Sequence, residues 1–202
     1  MKKLTFVLTV ALMAIATTAS AQFANSGKKA TKVSTNTENY NRFMAAYNSF
    51  TFSADGGSID LTGLSVGWTK GISVVETMPL YVETGLHVMY AFGSKYGSDQ
   101  SYLGVNVPVL LTYKITPSET VAVSPYAGLN LRGNIVGNES DADYKYDYFD
   151  DFDAKRFGVG VSLGVNVDLN KVSLGVGYTT DFTEFMEEIK IDYFTVALGF
   201  KF

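Results

Sequence analysis

The stretch Tyr193-Phe194-Thr195-Val196-Ala197-Leu198-Gly199-Phe200-Lys201-Phe202 closes the chain, and its reading decides the rest. Successive side chains of a strand point to opposite faces. Phe194, Val196, Leu198, Phe200 and Phe202 therefore share one face, and Tyr193, Thr195, Ala197, Gly199 and Lys201 share the other. A face of five apolar side chains needs an apolar medium against it. A packed core and a lipid bilayer both supply one.

The opposite end of the chain points to lipid. Lys2 and Lys3 form a positive n-region, Leu4 to Ala16 an apolar h-region, and Ala19-Ser20-Ala21 a small-residue cleavage site, the pattern of a secretory signal peptide over residues 1–21. No later run approaches the roughly 20 apolar residues of a transmembrane helix, so a membrane-resident chain must cross as strands. Cysteine is absent, which suits a wall closed by hydrogen bonds better than a small exported domain stapled by disulfides. Removal of residues 1–21 leaves 14 basic against 20 acidic residues, which excludes a basic nucleic-acid-binding surface. With 19 Gly, 13 Tyr and 14 Phe against 4 Pro, the composition favours sheet with aromatic girdles.

Residues 22–39 are polar and aperiodic, a flexible periplasmic tail. From Tyr40 onward eight strands are expected, at about 41–53, 61–75, 80–92, 102–115, 121–136, 156–169, 172–183 and 192–202. Each suffices for a tilted strand, which needs about 9–11 residues to cross. Short connections at 76–79, 116–119 and 170–171 alternate with longer ones at 54–60, 93–101, 137–155 and 184–191. Outer-membrane barrels place short turns in the periplasm and long loops outside, and an even strand number puts both termini in the periplasm. In most strands one face is continuously apolar while the other is mostly Gly, Ser, Thr and Asn. Small residues of that kind suit the crowded inside of a narrow barrel, whereas a water-facing surface would be rich in Lys and Glu. The same two faces also fit a soluble barrel with the apolar side as its core. Two strands fit less well. Lys70 falls among the lipid-facing Leu64, Val66, Trp68, Ile72 and Val74, near a periplasmic turn where it can snorkel to headgroups. The first strand has no single apolar parity, since Phe43 and Tyr47 oppose Phe50 and Phe52, and a bulge would reconcile its halves.

With eight strands placed, the chain resembles the small outer-membrane β-barrel proteins of Gram-negative bacteria, often called porin family or outer membrane protein beta-barrel domain. The resemblance spans Tyr40 to Phe202. Its most specific pieces are Val105-Asn106-Val107-Pro108-Val109-Leu110-Leu111-Thr112-Tyr113-Lys114, Glu83-Thr84-Gly85-Leu86 and the terminal aromatic strand, which is similar to the strand such barrels present to their assembly machinery. It implies an all-β, eight-stranded antiparallel up-and-down transmembrane barrel in the outer membrane. The partners implied are membrane lipid, lipopolysaccharide and the assembly machinery. It implies no cofactor and no single activity.

Three groups of residues are candidates for function. Glu83, Lys114, Asp168 and Lys201 point inward near the periplasmic rim, and Arg132, Asn134, Arg156 and Asp181 form a second cluster at the other end. These groups make either a gated ion path or a hydrogen-bonded plug, and the narrow bore of eight strands favours the plug. The only histidine, His87, faces inward with Tyr81, Glu83 and Met89. A partnership with Ser162 or Glu83 would resemble barrel hydrolases, although a lone inward histidine is usually a hydrogen-bonded filler. The connection 137–155 holds Glu139, Asp141, Asp143, Asp147, Asp150, Asp151 and Asp153 against Lys145 and Lys155, interleaved with Tyr144, Tyr146, Tyr148, Phe149 and Phe152. Asp141, Asp143 and Asp147 follow the start of a calcium-loop spacing, yet Tyr146 stands where that loop needs glycine and Phe152 where it needs Glu. Acids beside aromatics suit a protein or glycan contact at the cell surface or divalent-ion bridging to anionic lipid. They equally suit a hairpin extension kept soluble by its charge. The leading expectation is a monomeric, non-enzymatic envelope or surface-contact barrel, with a narrow solute channel as the alternative.

Overall fold

The computed structural model describes residues 38–54, 57–95, 97–141 and 143–202. The expected signal peptide and most of the expected tail lie outside these residues. Ten strands follow one another: β1 (Tyr40–Ala54), β2 (Gly57–Ser73), β3 (Leu80–Lys95), β4 (Ser98–Tyr113), β5 (Ile115–Ser118), β6 (Val121–Ser140), β7 (Lys145–Asp147), β8 (Phe157–Leu169), β9 (Val172–Asp181) and β10 (Lys190–Lys201). Eight of them are long, and each pairs antiparallel with its neighbours in the order β4-β3-β2-β1-β10-β9-β8-β6. Pairing of β6 with β4 closes the ring. Closure joins the first and last strands: Arg42 lies opposite Lys201, and Asn41 and Phe202 exchange both backbone hydrogen bonds at 2.9 Å. A closed ring leaves no open sheet edge, which is what allows strands to cross a bilayer. The short β5 and β7 each pair only with β6.

The apolar faces are outside. Leu64, Val66, Trp68, Leu86, Val88, Leu111, Leu129, Leu174, Val196 and Leu198 are all exposed on the outer wall, as are Phe200 and Phe202 on the terminal strand. A belt this extensive faces lipid, and the soluble alternative with the apolar face as core is overturned. Lys70 is exposed on the same wall, opposite Asn41 near the terminus-side rim.

The first strand corrects the sequence reading. Its register with β2 and with β10 runs without a shift, so it contains no bulge. Even-numbered residues face inward throughout, and Phe50 and Phe52 are buried inside the barrel. The assumption that interiors are polar fails at the loop-side end, where the bore holds an aromatic cluster. The bulge lies in β6 instead: Leu103 pairs with Val136 and Gly104 with Asn134, leaving Ile135 unopposed. Ile135 and Val136 consequently both point outward, and the parity of β6 changes beyond them.

The connections differ from expectation at both rims. β1 and β2 pair up to Ala54 and Gly57, and β3 and β4 up to Lys95 and Ser98, so the first two supposed long loops are mostly paired strand. Polar residues continue the ladder, helped by side-chain bonds such as Thr51 Oγ1 to Asp60 Oδ1 at 2.7 Å. Likewise Thr116, Pro117 and Ser118 belong to β5, and the turn is confined to Glu119 and Thr120. The two-residue turn Asn170-Lys171 stands as read, with Asn170 at φ 55°, a left-handed conformation that asparagine tolerates.

Candidate functional site

Alternation along the strands sends charged residues from separate walls into a bore too narrow for a wide aqueous path. At the terminus-side rim Arg42 on β1 is 0% exposed. Its Nη1 lies 3.3 Å from Glu83 Oε1 on β3, and its Nη2 lies 3.2 Å from Asp168 Oδ1 on β8. One guanidinium fork thus spans the bore and satisfies two carboxylates, a geometry that an ammonium does not match. Lys201 Nζ adds a second cation 2.9 Å from Asp168 Oδ2, Ser173 Oγ donates to Asp168, and the Tyr40 hydroxyl donates to Glu83. Lys114 is half-buried within electrostatic reach of Lys201 and Asp168. The inward placement of Glu83, Lys114, Asp168 and Lys201 is as the sequence implied, but the residue joining the two acids is Arg42. Sequence reasoning missed it because β1 offered no clean parity, although an Arg in a membrane-crossing strand was itself a signal.

At the loop-side end Arg132 pairs with Asp181 through Nη2 and donates from Nε to Asn134 Oδ1 at 2.9 Å. The Tyr102 hydroxyl donates to the same Asn134 oxygen, and Asn134 Nδ2 donates to Lys155 O at 2.6 Å. Arg156 is not part of this cluster. It is exposed, with its guanidinium carbon 4.3 Å from the centre of the Phe149 ring, because β8 begins only at Phe157. Above these polar groups Phe50, Phe52, Tyr102, Tyr148, Phe185 and Tyr193 fill the mouth with Leu61, Met89 and Ile191. Phe185 is the hub, with ring centres 5.7 Å from Phe52, 6.1 Å from Tyr102 and 6.0 Å from Tyr148, all edge-on. Edge-to-face packing of this kind is favoured by the ring quadrupoles.

Between the two plugs lies a chamber of about 100 Å³. His87 lines it and shares a 2.9 Å hydrogen bond with Thr69 Oγ1. The serine and acid considered as its partners are engaged elsewhere: Ser162 with Thr179 at 2.7 Å, and Glu83 with Arg42 and Tyr40. No nucleophile–base contact forms among them.

The acidic loop is built outside the wall. β6 runs on to Ser140 and β7 pairs back on it, so part of the loop is the hairpin extension considered above. Three of its acids serve the backbone. Asp141 Oδ1 accepts from the amides of Asp143 and Tyr144 at 2.9 and 2.8 Å, which holds its carboxyl below the usual carboxylate range. Asp147 accepts from the amide of Phe149 at 2.8 Å, and Asp151 from that of Asp147 at 2.7 Å. Asp143, Asp150 and Asp153 are exposed. Among the described residues no three metal-ligating side chains converge. Tyr148 departs from the surface role assigned to it: it is buried under Phe185, and burial raises its phenol above the ordinary value. Tyr144, Tyr146 and Phe152 remain outside, the first 64% exposed, with ring centres 6.2 Å apart between the tyrosines and 5.7 Å between Tyr146 and Phe152.

These features define an integral membrane β-barrel of eight long strands, plugged at both ends and carrying one structured acidic loop. The chain belongs to the outer membrane protein beta-barrel domain family, which it matches over residues 7–202. No curated protein matches it. Among solved structures, Neisserial surface protein A is similar at 16% identity over 81% of this chain and 95% of that one, with a TM-score of 0.51, a likeness that shows the fold alone. Ail, the attachment invasion locus protein of Yersinia pestis, in complex with the heparin analogue sucrose octasulfate, shares 11% identity over 82% of this chain and 99% of its own, with a TM-score of 0.48. The outer membrane enzyme PagL shares 10% identity over 77% and 98%, again with a TM-score of 0.48.

Proposed function

We propose that this chain is an exported, non-enzymatic outer-membrane barrel with both termini in the periplasm, whose loop between β6 and β8 makes contacts at the cell surface. The observation that carries this reading is the division of labour in that loop. Tyr148 and Ala154 anchor it in the barrel mouth, while Tyr144, Tyr146 and Phe152 stay exposed among carboxylates. Tyrosine beside exposed acids is a composition suited to protein or glycan recognition. Arg42 and the aromatic mouth support a closed bore, and the dispersed partners of His87 support the absence of chemistry.

The test uses cells that display the wild-type protein or the triple variant Tyr144→Ser, Tyr146→Ser, Phe152→Ser, which leaves Tyr148 and Ala154 in place. Adhesion to immobilised proteins and glycans should fall in the variant while the folded band on an unboiled gel persists. Undiminished adhesion would remove the loop from the function. A narrow channel is the second reading, favoured by the chamber between the plugs. Conductance of refolded protein well above that of bare lipid would establish it.

A further inference from the structure

The exposed rings of the barrel wall face lipid, but one group of exposed rings stands beyond the wall. Tyr144, Tyr146 and Phe152 form a ladder on the acidic loop, with successive ring centres 6.2 and 5.7 Å apart. Its inner end is fixed, because Phe152 lies 6.3 Å from the ring of the buried Tyr148. The ladder is therefore held in place by the mouth while all three rings stay exposed. Lipid does not account for it, and exposed apolar surface rimmed by charge marks a contact site.

Charge selects the partner. Residues 137–155 hold seven carboxylates against Lys145 and Lys155, and Lys155 lies 3.6 Å from Glu184 outside the loop. Asp141, Asp147 and Asp151 accept backbone amides, whereas Asp143, Asp150 and Asp153 are exposed beside Tyr144, Phe149 and Phe152 in sequence. A sulfated glycan or an anionic headgroup would meet like charge there, and a neutral glycan would leave the carboxylates without counter-charge. A cationic side chain satisfies both features, since ring faces attract it and carboxylates neutralise it. The chain itself makes one such contact beside the loop, where the Arg156 guanidinium carbon lies 4.3 Å from the centre of the Phe149 ring. Among the described residues no cation covers Tyr144, Tyr146 or Phe152. Arginine suits the site better than lysine, because a guanidinium stacks on a ring with its plane while its edge donates to a carboxylate. Resting on the reading of this loop as a surface contact, we infer that the ladder is a docking surface for an arginine-rich segment of a partner protein. Its guanidinium groups sit on Tyr144, Tyr146 and Phe152, with Asp143, Asp150 and Asp153 as counter-charges.

The experiment uses the refolded full-length barrel in nanodiscs of zwitterionic lipid. The probes are fluorescent peptides in which serine alternates with arginine, lysine or glutamate, and fluorescent heparin as a sulfated glycan. Anisotropy should show saturable binding of the arginine peptide that weakens with added salt. The lysine peptide should bind severalfold more weakly, and the glutamate peptide and heparin not at all. The triple variant Tyr144→Ser, Tyr146→Ser, Phe152→Ser keeps every charge and should bind the arginine peptide about tenfold less tightly, as two exposed cation–ring contacts imply. Asp143→Asn, Asp150→Asn, Asp153→Asn keeps every ring and should also bind it severalfold less tightly. All six positions are exposed, and the arginine-to-lysine comparison on the wild type needs no variant. Equal binding of these two peptides, undiminished in the ring variant, would show attraction to negative charge alone and overturn the inference, as would a preference for heparin. If the wild type fails to bind the arginine peptide while cell adhesion still falls in the ring variant, the cationic partner is excluded and the surface-contact reading stands. Undiminished adhesion in that variant would instead remove the reading on which the inference rests.

Discussion

Replacing Arg42 by Met keeps much of the side chain's length and removes the guanidinium on which the terminus-side plug is built. Arg42 is fully buried, and its two carboxylate partners are not equally supported without it. Asp168 retains Lys201 at 2.9 Å and the Ser173 hydroxyl, whereas Glu83 retains only the Tyr40 hydroxyl. Glu83 thus becomes a buried charge with no paired cation, a change that costs about 3–5 kcal/mol. The second change, Glu83→Gln, removes that charge, so Arg42→Met with Glu83→Gln should recover about half the loss or more. Asp168→Asn in the same background should recover less, since Asp168 keeps its own lysine. The assay is reversible urea unfolding in lipid vesicles followed by the fluorescence of Trp68, the only tryptophan, which lies on the outer wall at 43% exposure. Destabilisation by Arg42→Met of less than about 1 kcal/mol, or a double variant no more stable than the single one, would refute the plug as described.

Phe185→Ala removes the hub of the aromatic mouth and should cost about 3–5 kcal/mol, expressed first as faster proteolysis within 137–155 while the strands stay protected. An unchanged cleavage rate would mean that the loop is anchored elsewhere. His87→Ala should leave a folded, heat-modifiable barrel weakened by roughly 1–2 kcal/mol, the worth of one hydrogen bond and some packing; a variant that folds normally yet loses all turnover of a lipid or peptide substrate would reverse the non-enzymatic reading. Tyr148 provides a pH test. Its folded phenol is raised above the unfolded value, so its stabilisation is fully present below about pH 10 and is lost as pH rises through the folded pKa. Loop protection measured by hydrogen exchange at graded alkaline pH should decline in the wild type and be flat in Tyr148→Phe.

Period-two alternation is a local property, and where it was clean the strands could be placed from sequence to within a few residues. Val172 to Asp181 and the terminal strand are examples, with the faces of Leu174, Val196 and Leu198 assigned correctly to the outside. The bore was legible only in part. Glu83, Asp168 and Lys201 were known to face it, but Arg42, which joins the two acids, is 126 residues from Asp168, and no local pattern carries such a pairing. Phe50 and Phe52 misled for a related reason. An apolar residue on a strand says that it avoids water, not on which side the water is excluded.

Sequence alone determined the all-β character, the eight crossing segments and the gathering of the terminal aromatic residues on one face, because side-chain alternation along a strand needs no knowledge of its neighbours. Tertiary structure decided what fills the barrel. Only closure of β1 on β10 and of β4 on β6 brings Arg42 between two carboxylates and seats Phe185 and Tyr148 in the mouth. Those contacts join residues far apart in the chain, whose meeting is set by ring geometry and by the cost of leaving a buried charge or acceptor unpaired.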